Sequence, residues 1–163
     1  MNIKVEVKNL EKLTAAFQRA PDAVKNQMRL ALRVSLRNIQ RRARSEHRFR
    51  TRTGNLERSI DTQVLTDWPP SGRVLIDPAI TKTADGRSYG VMQHNGTPDH
   101  RVKPKHKKAL RWPVSGGFAF SRGHTVRGIK ADPFLYKAGE HERAEINNIF
   151  SRYADAAIKG AGL

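Results

Sequence analysis

In a chain with no cysteine, histidines, carboxylates and glycine-rich turns are where catalytic or metal chemistry would have to show. His94, His100 and His106 stand six residues apart in a Gly- and Lys-rich stretch. Zinc-type spacing is tighter than this and no carboxylate pair joins them, so they read as residues of a surface loop. His141-Glu142-Arg143-Ala144-Glu145 begins like a zinc-protease helix, but Glu145 stands where the second His belongs and a ligand is lost from that face. That segment reads as a solvated helix face. Gly116-Gly117-Phe118-Ala119-Phe120-Ser121-Arg122-Gly123 lacks both the Gly-Lys-Ser/Thr ending of a phosphate loop and the spacing of a dinucleotide fingerprint, and a hairpin turn accounts for it better. His94-Asn95 and Asp99-His100 do not supply the spaced His-Asn-His set of a metal-dependent nuclease, and no Ser-His-Asp elbow is visible. The expectation is a protein that is not an enzyme and takes no metal or cofactor.

Charge is the stronger signal. The chain has 31 Lys and Arg against 15 Asp and Glu, a formal charge of +16. Residues 29–58 hold ten bases and two acids and residues 82–130 eleven and two, while residues 59–81 hold one base and three acids. In the first basic segment Arg29, Arg33, Arg37 and Arg41 recur every four residues, a ridge on one side of a helix that Arg44 and Arg48 extend. In the second, Lys103, Lys105, Lys107 and Lys108 crowd a loop. These eight residues are the candidate contacts for a partner or a polyanion. Like charges at helical spacing repel, so the ridge is either solvated, laid against an acidic neighbouring subunit, or in contact with nucleic acid. Aromatics make up only 7% of the chain, and no helix-turn-helix or zinc-finger pattern stands out. DNA, if touched, is touched by charge.

The elements that must carry these residues follow from periodicity. Ile3, Val5 and Val7 alternate with Lys4, Glu6 and Lys8 as in a half-buried strand. Leu10, Leu13, Ala16 and Phe17 then recur at helical spacing up to Pro21. From Pro21 to about His47 no Gly or internal Pro intervenes, and Val24, Met28, Ala31, Leu32, Ser35, Ile39 and Ala43 form one apolar stripe of a long helix. Gly54 and Asn55 mark a turn before a strand ending near Thr66, and Pro69-Pro70-Ser71-Gly72 returns the chain into Arg73 to Ile76. Tyr89 to Met92, Ala109 to Val114, Phe118 to Phe120 and Thr125 to Ile129 read as further short strands. Residues 81–88 and 97–108 read as mobile loops. A last helix is expected from Pro133 to Lys159, with Leu135, Ala138, Ile146, Ile149, Phe150, Tyr153 and Ala157 on one face. Strand, helix, several strands, helix is an α+β order: an antiparallel sheet of short strands packed by a long helix in the N-terminal half and a C-terminal helix. Residues 1–163 show no repeat or linker and read as one domain. The N-terminus has no signal-peptide run, and no segment nears the ~18 apolar residues of a membrane span.

Three landmarks, in order, resemble the tail-component or neck proteins of long-tailed bacteriophages, the tail completion or head–tail joining family. Thr53-Gly54-Asn55-Leu56-Glu57-Arg58-Ser59-Ile60 after a long basic helix is similar to the family's Thr-Gly-x-Leu-x-x-Ser-Ile. Tyr89-Gly90-Val91-Met92-Gln93-His94-Asn95-Gly96-Thr97 resembles its Tyr-Ala, five residues, Gly-Thr. Ala131-Asp132-Pro133-Phe134-Leu135-Tyr136-Lys137-Ala138 resembles its Pro-x-Pro-Phe-Leu-x-x-Ala entry to the last helix. His94 where members often carry Glu, Ala131 in place of the first Pro, and the basic stretch from Pro98 to Lys108 depart from the pattern. The resemblance implies a non-enzymatic virion subunit, made in the host cytoplasm and located at the head–tail junction or tail end. It would form a homo-oligomeric ring and bind connector and tail tube or terminator proteins, with non-specific contact to passing phage DNA and none to a membrane. The positions it singles out as fold- or interface-bearing are Thr53, Gly54, Asn55, Leu56, Ser59, Ile60, Tyr89, Gly96, Thr97, Pro133, Phe134 and Leu135. The charge read alone leaves a second possibility, a stand-alone basic nucleic-acid-binding protein without enzymatic activity.

Overall fold

A computed structural model describes residues 2–4, 22–66 and 68–160. The helix expected over 10–20, and Val5 and Val7 of the first strand, lie outside the described residues. The long helix α1 runs Asp22–Ser45. It buries Val24, Met28, Ala31, Leu32, Ser35, Leu36, Ile39 and Ala43, which is the expected stripe with Leu36 added. Ser35 joins an apolar face at no polar cost because its hydroxyl donates to the Ala31 carbonyl at 2.8 Å.

One side of the stripe is covered by a three-stranded antiparallel sheet, β1 (Asn2–Lys4), β2 (Ile60–Thr66) and β3 (Ser71–Ile76), in the order β1-β3-β2. The register Ile60↔Ile76, Thr62↔Val74 and Val64↔Gly72 puts these six residues on one face. Gly72 is the close point: a Cβ there would lie 2.6 Å from Leu36 Cδ1. The other side of the stripe is covered by α4 (Phe134–Gly160), which buries Phe134, Leu135, Ala138, Glu142, Ile146, Ile149 and Ala157. Val24 and Met28 meet Ala157, while Ile39 and Ala43 cluster with Leu135 and Ala138, so the two helices run antiparallel.

The remaining elements are small. A five-residue helix α2 (Asn55–Ser59) leads directly into β2, and α3 (Tyr89–Asn95) follows the first sheet. β4 (His100–Val102) pairs antiparallel with β7 (His124–Val126), and β5 (Leu110–Val114) with β6 (Gly117–Ser121). The class is α+β, with the strands divided among three small antiparallel sheets rather than one.

Three expectations are corrected. Tyr89 to Met92 is helical, because the Ser88 hydroxyl caps it by accepting the Val91 N–H at 3.3 Å. The 97–108 stretch contains β4, which finds its partner β7 more than twenty residues away. The last strand stops at Val126 rather than Ile129. Within 81–88, Thr83 N–H donates to the Arg87 carbonyl at 2.7 Å, and the Thr81 and Ser88 hydroxyls bond at 2.6 Å.

Two glycines give opposite expectations for the same substitution. A Cβ on Gly90 would meet Ile76 Cγ2 and Leu56 Cδ1 at 2.8 Å each, so Gly90→Ala should cost about 1–3 kcal/mol by overpacking. Gly139, inside α4, has open space around it, and Gly139→Ala should add about 0.5–1 kcal/mol. Urea unfolding midpoints at unchanged slope check both.

Candidate docking surfaces

The three landmark segments meet in space. Leu56 and Ile60 are buried in one cluster with Phe134 and Leu135, and Tyr89 packs against it. Gly54, at φ +71°, turns the chain into α2, where Asn55 is the first helical residue and its side chain takes a bond from Arg58. The Thr53 hydroxyl accepts the Asn55 N–H at 3.4 Å. Ser59 is buried, with its hydroxyl on the Leu56 carbonyl and its own carbonyl accepting the Asp77 N–H at 2.7 Å. Gly96 ends α3 at φ +76°, and a Cβ there would come within 2.7 Å of the Ile129 carbonyl. Thr97 bonds Ile129 twice, through its N–H at 2.9 Å and its hydroxyl at 3.0 Å. Gln93 accepts the Asp132 N–H at 3.1 Å, and the Pro133 carbonyl accepts the Lys137 N–H at 3.0 Å in the first turn of α4. These contacts tie the three segments to one another through apolar packing and hydrogen bonds.

Asp132 fastens this knot to the end of α1. Its carboxylate, almost fully buried, accepts the Arg48 backbone N–H at 2.5 Å and the Lys137 ammonium at 2.9 Å, with the Arg48 guanidinium at 3.4 Å. Burial alone would raise its pKa, but the Arg48 N–H and the Lys137 ammonium outweigh that, and the carboxyl sits below its ordinary value. A second polar link lies one turn back. Arg42 bonds Glu142 of α4 and Glu46, each at 2.5 Å, and His141 reaches Glu46 at 2.9 Å. The hydrogen bond from His141 chiefly, with Arg42 beside it, holds Glu46 below the usual carboxylate range.

The basic ridge is real but shorter than its sequence spacing. Arg33, Arg37 and Arg41 are exposed and Arg29 is half-buried. Arg29 and Arg41 bond the side chains of Asn26 and Asn38, whereas Arg33 and Arg37 pair with no acid among the described residues. Arg44 folds back to donate to the Ile60 carbonyl at 2.7 Å, and Arg48 is spent on Asp132 and the Ala131 carbonyl. Lys103, Lys105, Lys107 and Lys108 are all exposed, between β4 and β5, with no acid partner among the described residues.

Two readings of individual residues change. His94 is not on a surface loop: it is buried on α3 at 2% exposure, edge-on to Phe134 and tilted against Tyr136, with Nδ1 at 3.0 Å from the Asn95 side chain and Nε2 unpartnered. The spacing of Gly90 and His94, one helical turn apart and both buried, is the signal that sequence reasoning passed over. Glu142 is not on a solvated face but buried at the α1–α4 contact, paired with a residue 100 positions away. Sequence reasoning also missed the apolar surface of the β5–β6 hairpin. Phe120 is 66% exposed and Phe118 51%, and Trp112 and Val114 are exposed too.

No group of three His, Asp or Glu among the described residues is arranged to hold a metal ion, and no helix there is long and apolar enough to cross a membrane.

The lowered pKa of Asp132 sets a sign. Stability from a carboxylate with depressed native pKa is present above the unfolded value, near 3.9, and is lost as pH falls through the native pKa. Asp132→Asn should therefore cost about 1–3 kcal/mol at pH 7 and show a shallower loss of stability below about pH 4 than wild type. Unfolding midpoints from pH 7 to pH 2 measure it; an unchanged acid limb would remove Asp132 from this role. No family model matches the chain, and no curated protein or solved structure matches it.

Proposed function

We propose that this protein is a structural subunit of a bacteriophage virion that acts in head–tail joining or tail completion, assembling as a ring and binding connector and tail proteins without catalysing a reaction. What supports this reading is that the three segments resembling the neck and tail-completion family converge on one packed knot around Phe134, although they lie far apart in sequence. Surfaces that are uncompensated among the described residues fit the same reading: Arg33 and Arg37 on a rigid helix, and a hairpin with two exposed phenylalanines. Such features serve complementarity with another macromolecule rather than turnover of a small one.

Deleting the gene should leave complete heads and complete tails unjoined, visible by electron microscopy, and an unchanged yield of infectious particles would sink the proposal. Arg33→Glu combined with Arg37→Glu should abolish joining while moving the unfolding free energy by no more than about 0.5 kcal/mol, since neither side chain supports the core. Normal joining by that variant would show the ridge to be merely solvated.

A further inference from the structure

The β5–β6 hairpin is built to be covered. Its register pairs Arg111 with Phe120 and Pro113 with Phe118, so these four side chains share one face, and Trp112 with Ala119 occupies the other. Trp112 is held against His124 of β7, with ring centroids 5.1 Å apart. The opposite face carries Phe118 and Phe120 into solvent, with the Arg111 guanidinium 3.5 Å from the Phe118 ring centroid. Among the described residues β5 and β6 pair as strands only with each other, and an isolated two-stranded hairpin is marginal in water.

A matching surface exists on the same chain. Among the described residues β2 pairs with β3 on one side and with no strand on the other. At its start the outer edge is closed by side chains: Gln40 and Arg44 donate to the Ile60 carbonyl at 2.8 and 2.7 Å, and the Asp61 carboxylate accepts the Thr62 N–H at 2.8 Å. Among the described residues no side chain caps it further along, where Val64 and Leu65 stand exposed beside a bulge. Charge is complementary: residues 99–130 carry nine bases and one acid, residues 59–81 three acids and one base.

We infer that the β5–β6 hairpin of one copy docks on the open end of the β2 edge of a second copy, Phe118 and Phe120 covering Val64 and Leu65. Donor and acceptor are different surfaces, so the contact is head-to-tail and propagates to a closed ring or a filament. Strand edges pair readily when nothing blocks them. This contact supplies the subunit joint that the virion reading requires, and it rests on that reading only for what the assembly is for. A duplex takes up inserted phenylalanines only by unstacking its base steps, whereas Val64 and Leu65 already stand exposed, which favours a protein occupant.

The test uses the full chain in analytical ultracentrifugation across a concentration series. Wild type should self-associate. Phe118→Asp with Phe120→Asp, and separately Val64→Lys with Leu65→Lys, should each weaken association at least about 30-fold, the scale of hot-spot loss. Circular dichroism and urea midpoints check that both variants fold. Mixed in equal amounts they should form a one-to-one dimer and stop there, because only one intact hairpin and one intact edge remain to meet. A wild-type chain that stays monomeric to about 1 mM, variants that associate like wild type, or a mixture that stays monomeric would each overturn the contact. So would a hairpin variant that loses binding to a single-stranded thymidine oligonucleotide with its association unchanged. Unjoined heads and tails on gene deletion together with a monomeric chain would reject the contact and keep the function; self-association with normal particle yield would do the reverse.

Discussion

The apolar stripe of α1 from Val24 to Ala43 is too wide for one neighbour, and the way it is covered fixes the place of every larger element. Leu36 presses on the bare backbone at Gly72 of β3, so the sheet lies flush against the helix on one side. Small residues at the other side, Ala43 against Ala138 and Ala157 beside Val24 and Met28, let α4 come close along its whole length. Each fully buried aliphatic or aromatic side chain here is worth about 1.5–3 kcal/mol. The antiparallel run of α4 forces its N-terminus to sit at the C-terminal end of α1, which is where Asp132 ties Arg48 to Lys137 and Arg42 ties to Glu142. A carboxylate just ahead of a helix start is also favoured by the helix dipole.

The same helix sorts its arginines into two uses. Those near its C-terminal end, Arg42, Arg44 and Arg48, are drawn inward to carboxylates and carbonyls that the packing of α4 and β2 brings within reach. Arg33 and Arg37, in the middle, have only solvent before them among the described residues. The formal charge of +16 therefore overstates what is free to meet a partner and conceals where it is free. Among the described residues the outward cations include a short strip on a rigid helix and four lysines on a connection between strands. A rigid strip costs little conformational entropy to dock, and a lysine-bearing connection costs more.

Both long helices, the β2–β3 pair and the β5–β6 turn were legible because their patterns are local: a stripe at helical period, alternation bounded by Pro and Gly, a Gly-Gly turn. What was not legible depends on residues far away in sequence. Tyr89 to Met92 is aromatic and β-branched enough to read as a strand, and becomes helical because Gly90 lets α3 approach Ile76 and Leu56 and because Ser88 caps it. His94 then points inward to rings supplied by α4. Glu142 looks like any solvated helix residue until Arg42 arrives from the first helix. Of the candidate sites, the helix ridge could be read from its spacing, but the losses of Arg44 and Arg48 to internal bonds could not. The aromatic hairpin surface could not be read either, because Phe118 and Phe120 alternate like core residues and only the missing neighbour makes them exposed.

That missing neighbour bears on what the positive charge is for. Binding to nucleic acid through phosphates alone gains affinity with each cation presented and is indifferent to apolar area. A pore lined with the ridge and the lysines together would hold passing DNA by many such contacts, which opposes its movement. A surface that pairs cations with exposed phenylalanines, and stacks one of those rings under a guanidinium, is instead organised to exclude water from a contact of defined shape. In the proposed assembly the hairpin charge therefore belongs at subunit joints, rimming an apolar centre. Any contact with DNA falls to cations that have no apolar surface beside them, and among the described residues these include the lysines between β4 and β5.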